Sequence, residues 1–175
     1  MTRTKPAAFV LAFVWASTAA LAQAPQQAEA TFHNQQGQEV GKAIFTQTAS
    51  GVLIEIELSK VPEGKHGFHI HESGVCDAAD GFKSAGGHFE PAQHQHGYMI
   101  ADGPHAGDMP NQFAGSDGRL AANVLNSNVT LSEGPTSVLD ADGSAIIVHA
   151  NPDDYASQPS GDAGDRIACA VIEKR

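Results

Sequence analysis

From Ala30 onward the apolar positions recur every second residue. Val52, Ile54, Ile56 and Leu58 alternate with Leu53, Glu55, Glu57 and Ser59, the pattern of a strand with one buried face. Residues 42–48 predict its antiparallel partner through a turn at 49–51, and 65–71 predict another strand after a turn at 62–64. Strand signals return at 119–131, 145–149 and 166–173. No stretch carries a helical period and no internal repeat is present. The pattern predicts an all-β domain interrupted by two irregular segments, 72–111 and 150–165. Loops this long inside a compact domain point to function or to an external tether.

Composition sharpens this reading. A chain of 175 residues suits one domain, and 18 glycines with 9 prolines at 6% aromatic content favour short strands and many turns. The formal net charge of −10 argues against nucleic acid or an anionic membrane surface as the main partner. Residues 1–22 have the pattern of a signal peptide: Arg3 and Lys5, an apolar run over 7–20, then the small-x-small site Ala20-Leu21-Ala22. The run is too short for a span, so no membrane span is expected after processing. Residues 23–30 are expected to form a flexible arm, and 31–175 the domain. Removing 1–22 takes two positive charges and no acid. In an exported chain, two cysteines make one disulfide the default. Closing so long a loop between Cys76 and Cys169 would contribute about 4–5 kcal/mol. A reactive thiol or thiolate metal site is disfavoured, because neither cysteine has a second one nearby.

The nine histidines are the anomaly. His69 and His71 stand at i, i+2 on a strand, so both imidazoles project from one face. His149 ends another apolar strand. The first loop adds His88, His96, His105 and Asp108, with Gly107 allowing a tight turn between the last two. Three imidazoles and a carboxylate suit Zn²⁺ in a closed tetrahedron. Four imidazoles with an open side suit Cu²⁺. The alternative is a set of loop histidines with ordinary hydrogen bonds.

The segments HGFHIHE (66–72), GGHFEP (86–91), HQHG (94–97), PHAGDMPN (104–111), VHANPDD (148–154) and GDAGDRIACAVI (161–172) resemble the copper–zinc superoxide dismutase family in its secreted bacterial form. The match runs from about residue 31 to the C-terminus. It implies an eight-stranded Greek-key β-barrel, a flattened sandwich with two long functional loops. It further implies copper on His69, His71, His88 and His149, and zinc on His88, His96, His105 and Asp108. His88 would bridge the two metals as an imidazolate. Asp153 matches the carboxylate that links a copper ligand to a zinc ligand through their outer ring nitrogens. Arg166 matches the guanidinium beside the open copper position, Cys76 and Cys169 match the family disulfide, and His66 matches a buried structural histidine. His94 falls off the family spacing, and His33 and His94 read as bystanders.

The activity so implied is dismutation of superoxide to O₂ and H₂O₂ through a Cu(II)/Cu(I) cycle. His88 would take and deliver a proton, and one zinc per subunit would serve structure and electrostatics. The expected location is the periplasm, and the expected assembly a homodimer or a monomer. Three departures from the family pattern stand out. The second loop lacks the lysine found in relatives, which makes Lys83 the candidate guiding charge. Glu90 stands where Asn is usual, adding negative charge beside His88, and Ala170 stands where Gly is usual.

Overall fold

A computed structural model describes residues 26–175 together with Met1. The rest of the expected signal peptide and the start of the expected arm lie outside the described residues. Nine strands follow in chain order: β1 (Gln27–Asn34), β2 (Glu39–Thr48), β3 (Gly51–Leu58), β4 (Gly64–His71), β5 (Asp108–Ala114), β6 (Leu120–Asn126), β7 (Ala145–His149), β8 (Arg166–Val171) and the short β9 (Glu173–Lys174). Every pairing between them is antiparallel, in the order β5-β4-β7-β8-β1-β2-β3-β6, with β9 added to β1. The end strands β5 and β6 are consecutive in the chain and joined by a turn in which Gly115 N–H donates to Arg119 O at 2.9 Å. The eight main strands thus form a nearly closed barrel, with Greek-key crossings from β3 to β4 and from β6 to β7. Among the described residues no helix is long and apolar enough to cross a membrane.

The alternation in β3 translates directly into packing. Val52, Ile54, Ile56 and Leu58 are buried, while Glu55 and Glu57 face solvent. Ile54 sits opposite Phe45 on β2 and Val124 on β6, and these residues join Phe32, Phe68, Ile70, Met109, Leu120 and Ile146 in the main core. β4 and β7 behave differently, because both of their faces are covered: His66 to His71 and the whole of β7 are buried. Phe68 and Ile70 point into the barrel, so His69 and His71, by the period of two, point outward beneath the loops. A second cluster of Phe82, Ala85, Ala145, Ile147 and Cys169 fills the space between that outer face and the first loop. The Cys76–Cys169 disulfide closes it, with Cα atoms 5.8 Å apart.

Two boundaries differ from the sequence reading. The arm expected over 23–30 ends sooner, because β1 begins at Gln27 and pairs with Thr46. The first loop ends at Gly107 rather than Asn111, since Asp108 already pairs with His69 in β5. β5 hides in the sequence because Pro110 and three polar residues break its alternation, a composition tolerated on an end strand. The first loop also contains two 3₁₀ turns, Ala78–Asp80 and Lys83–Ala85, the first capped by Asp77.

Candidate metal centre

Strands β4, β5 and β7 and the first loop bring the candidate ligands together. His69 and His71 come from β4, His149 from the end of β7, and His88 from the first loop, where it bridges to His71 through backbone pairing. All four are buried, and their ligand atoms lie within 4.8 Å of one another. His69 Nδ1, His71 Nε2, His88 Nε2 and His149 Nε2 have no hydrogen-bond partner. A buried polar atom without a partner costs about 1–3 kcal/mol, so four converging on one point indicate a ligand they share. Four neutral imidazole donors suit copper. Burial first, then the mutual repulsion of the cluster, keeps the His71, His88 and His149 rings in the neutral form that ligates. His149 is pushed down to about 3, and His71 well below its ordinary value. His88 is lowered to about 4, although its bond to Asp108 opposes the shift.

The opposite nitrogen of His88 belongs to a second set. His88 Nδ1 lies 2.7 Å from Asp108 Oδ1, His96 Nδ1 lies 3.0 Å from the same carboxylate, and His105 Nδ1 lies 3.5 Å from Oδ1 and 3.4 Å from His88 Nδ1. A zinc tetrahedron with bonds of 2.0–2.1 Å has edges of roughly 3.3 Å, close to these separations. Three imidazoles and one carboxylate are a zinc donor set, and its spacing fits that ion. Gly97 N–H and His105 N–H both donate to Asp108 Oδ2, at 2.9 and 3.0 Å. These bonds fix the carboxylate; burial alone would raise its pKa, but the side-chain hydrogen bonds of His105, His88 and His96 hold it well below the usual carboxylate range.

The outer ring nitrogens are anchored as well. Asp153 Oδ2 meets His69 Nε2 at 2.8 Å, and its Oδ1 meets His96 Nε2 at 3.0 Å. One carboxylate therefore ties a member of the first set to a member of the second. His71 Nδ1–H donates to Gly86 O at 3.1 Å and His149 Nδ1–H to Gly164 O at 3.3 Å, and these bonds select the tautomers that leave Nε2 free. His66 stands apart, its ring nitrogens 2.7 Å from His149 O and 2.8 Å from Pro62 O. His94 is half exposed beside Asp102, and His33 faces solvent.

A pocket of about 430 Å³ opens over His71, His88 and His149, walled by Lys83, Ser160 and Arg166. The Arg166 guanidinium is aimed by two bonds of 2.6 Å to Phe82 O and Gly86 O. Burial lowers its pKa from the ordinary value, with Asp80 and Glu72 opposing the shift, and an arginine remains cationic at neutral pH. Lys83 lies exposed on the rim. The Glu90 carboxylate accepts Ala106 N–H at 2.7 Å and Ala92 N–H, so it ties the middle of the first loop to its C-terminal end. Ala170 is simply buried in the core.

Sequence reasoning assigned no role to Asn111, Tyr155 or Gln158. Asn111 grips the Asp153 backbone twice, through N–H at 2.7 Å and O at 2.8 Å. Tyr155 OH accepts Asn111 N–H at 2.8 Å. None of the three carries a signal in the sequence, because their partners lie more than 40 residues away.

A family model described as copper/zinc superoxide dismutase matches residues 39–172. A relative from Aquifex aeolicus, "Superoxide dismutase [Cu-Zn] 1", is 49% identical over 142 residues, covering 80% of this chain and 83% of its own. Among solved structures, a SOD-like protein from Bacillus subtilis superposes with a TM-score of 0.79 at 37% identity, covering 82% of this chain and 96% of that one. The Cu/Zn superoxide dismutase from Brucella abortus superposes at 0.69 and 27% identity, covering 84% and 99%. With a barrel of this topology, two histidine sets sharing one imidazole, and matches over most of its length, the chain belongs to the copper/zinc superoxide dismutase family.

Proposed function

We propose that this chain dismutates superoxide to O₂ and H₂O₂ outside the cytoplasm, consuming two superoxide anions and two protons per turnover. In this reading His69 Nδ1 and the Nε2 atoms of His71, His88 and His149 hold copper. The Nδ1 atoms of His88, His96 and His105 together with the Asp108 carboxylate hold zinc. Copper supplies a one-electron Cu(II)/Cu(I) couple, and zinc, which has no redox chemistry, supplies fixed charge and structure. Arg166 binds the anion: its guanidinium is held rigidly at the pocket wall and offers further N–H donors toward the floor. His88 Nε2 is the proton station, since it faces the pocket while Nδ1 keeps the ring anchored on the zinc side. Asp153 holds His69 and His96 in their tautomers and orientations. The observation that carries the reading is the convergence of four unpartnered, buried imidazole nitrogens beneath a pocket bearing Arg166.

The net negative charge opposes an anionic substrate at long range. Salt screens distant carboxylates within about 8–10 Å, which leaves the local field to Arg166, the metal charges and Lys83 at the rim. Lys83 therefore takes the guiding role on this reading. The disulfide supports an oxidising compartment, and the N-terminal pattern supports export, together favouring the periplasm. Metal analysis of the processed protein alongside a superoxide-removal assay tests the assignment. The expected result is one copper and one zinc per chain with rapid removal; full metal content without removal would overturn it.

A further inference from the structure

The second loop is locked onto the zinc-side histidine by contacts that do not involve its metal-facing nitrogen. Gln158 Oε1 accepts His96 N–H at 3.0 Å, and Gln158 Nε2 donates to His96 O at 2.8 Å and to Ala156 O at 2.9 Å. The two bonds to His96 run in opposite senses, so they require an amide: a carboxylate could not donate and an apolar side chain could do neither. Around this clamp the two segments approach as closely as backbone allows. A Cβ on Gly97 would fall 2.1 Å from Tyr155 O, and one on Gly161 would fall 1.8 Å from Asp153 Oδ1 and 2.7 Å from His96 Nε2. Immediately after Gln158, Pro159 and Ser160 form part of the wall of the copper-side pocket.

We infer that Gln158 is a positioning residue that couples the pocket wall to the zinc-side ligand, acting through the backbone of His96. Its amide holds the main chain while Asp153 and Asp108 hold the two ring nitrogens, so the imidazole is constrained from three directions. The same amide holds the segment that shapes one side of the pocket. Loosening either loop is then felt by the other: a displaced His96 moves the 158–160 wall, and a displaced wall releases His96.

This inference rests on the ligand assignment proposed above, and the experiment separates the two. The processed protein, loaded with copper and zinc, is challenged with a chromogenic chelator and zinc release is timed. In a parallel preparation Co²⁺ replaces zinc and its visible bands report the ligand geometry. Gln158→Met keeps most of the side-chain volume and removes all three hydrogen bonds; Gln158→Ala removes volume as well. Both variants are expected to release zinc about tenfold faster, the lower end of the effect of losing an outer support of a metal ligand. The cobalt bands should shift, and amides at 96–99 and 156–161 should exchange faster together while those of β2 and β3 keep wild-type protection. Wild-type release and unshifted bands in Gln158→Met would overturn the inference, including in the event that Gln158→Ala fails to fold. His96→Ala is the control for the assignment. Zinc release from it at the wild-type rate would overturn the ligand reading and this inference together.

Discussion

Individual side chains here act through what anchors their far ends. Arg166 reaches its place because two carbonyl oxygens of the first loop fix its guanidinium, leaving little freedom to lose on binding an anion. Arg166→Ala should lower superoxide removal roughly 10- to 100-fold, as expected for one charge-assisted contact, with copper and zinc content unchanged by elemental analysis. The titrating groups make a second prediction, for the protein stripped of metals. His88 and His149 titrate at about 4 and about 3 when folded, against 6.5 when unfolded. As pH falls from 6.5 toward 4 the unfolded chain gains protons that the folded one refuses, so stability falls. His96 is held up to about 9 by Asp108 and Asp153, against the effect of burial, so its contribution is present below 6.5 and is lost as pH rises through 9. Thermal melts should therefore show a maximum near neutrality, and His149→Gln should flatten the acid side.

Among the elements, β4 is legible from its alternation yet acquires its role only from its covering. A strand of alternating Phe68, His69, Ile70 and His71 has an apolar face and a polar one, and the polar face is buried because two loops lie over it. The second loop fits so tightly that Gly161, at φ +69, has no room for a methyl group. Gly161→Ala should cost about 1–3 kcal/mol in urea unfolding of the metal-loaded protein and weaken zinc retention, whereas Gly134→Ala, with open space around it, should leave zinc retention unchanged. The first loop depends on its covalent tie to β8. Replacing Cys76 and Cys169 together by serine should cost about 2–5 kcal/mol. The loss should appear as faster amide exchange over 76–86, the segment that supplies the carbonyls holding Arg166. Neither loop's fit is visible in the chain, since the contacts that set it, Gly161 against His96 and Cys76 with Cys169, join residues far apart along it.

The whole molecule sets a conflict between charge and substrate. A chain with 20 acidic and 10 basic residues repels an anion at long range, and Lys83 lies at the pocket mouth, on the path of an entering anion. Lys83→Ala should slow superoxide removal severalfold at low ionic strength and converge on the wild-type rate at high salt; identical salt profiles would refute its steering role. The strands with clean alternation are legible in the chain alone, because a period of two needs no partner to be recognised. So are the candidate ligands, because His69 with His71 and His105 with Asp108 are close by local geometry alone. The rest came only with the folded structure. It revealed β5, whose polar residues are tolerated because it ends the strand order. It turned the far nitrogens of His88 toward two different sets, and it set Gln158 against His96. Those outcomes depend on which surfaces close-pack when the barrel folds, and packing between residues distant in the chain leaves no periodic trace along it.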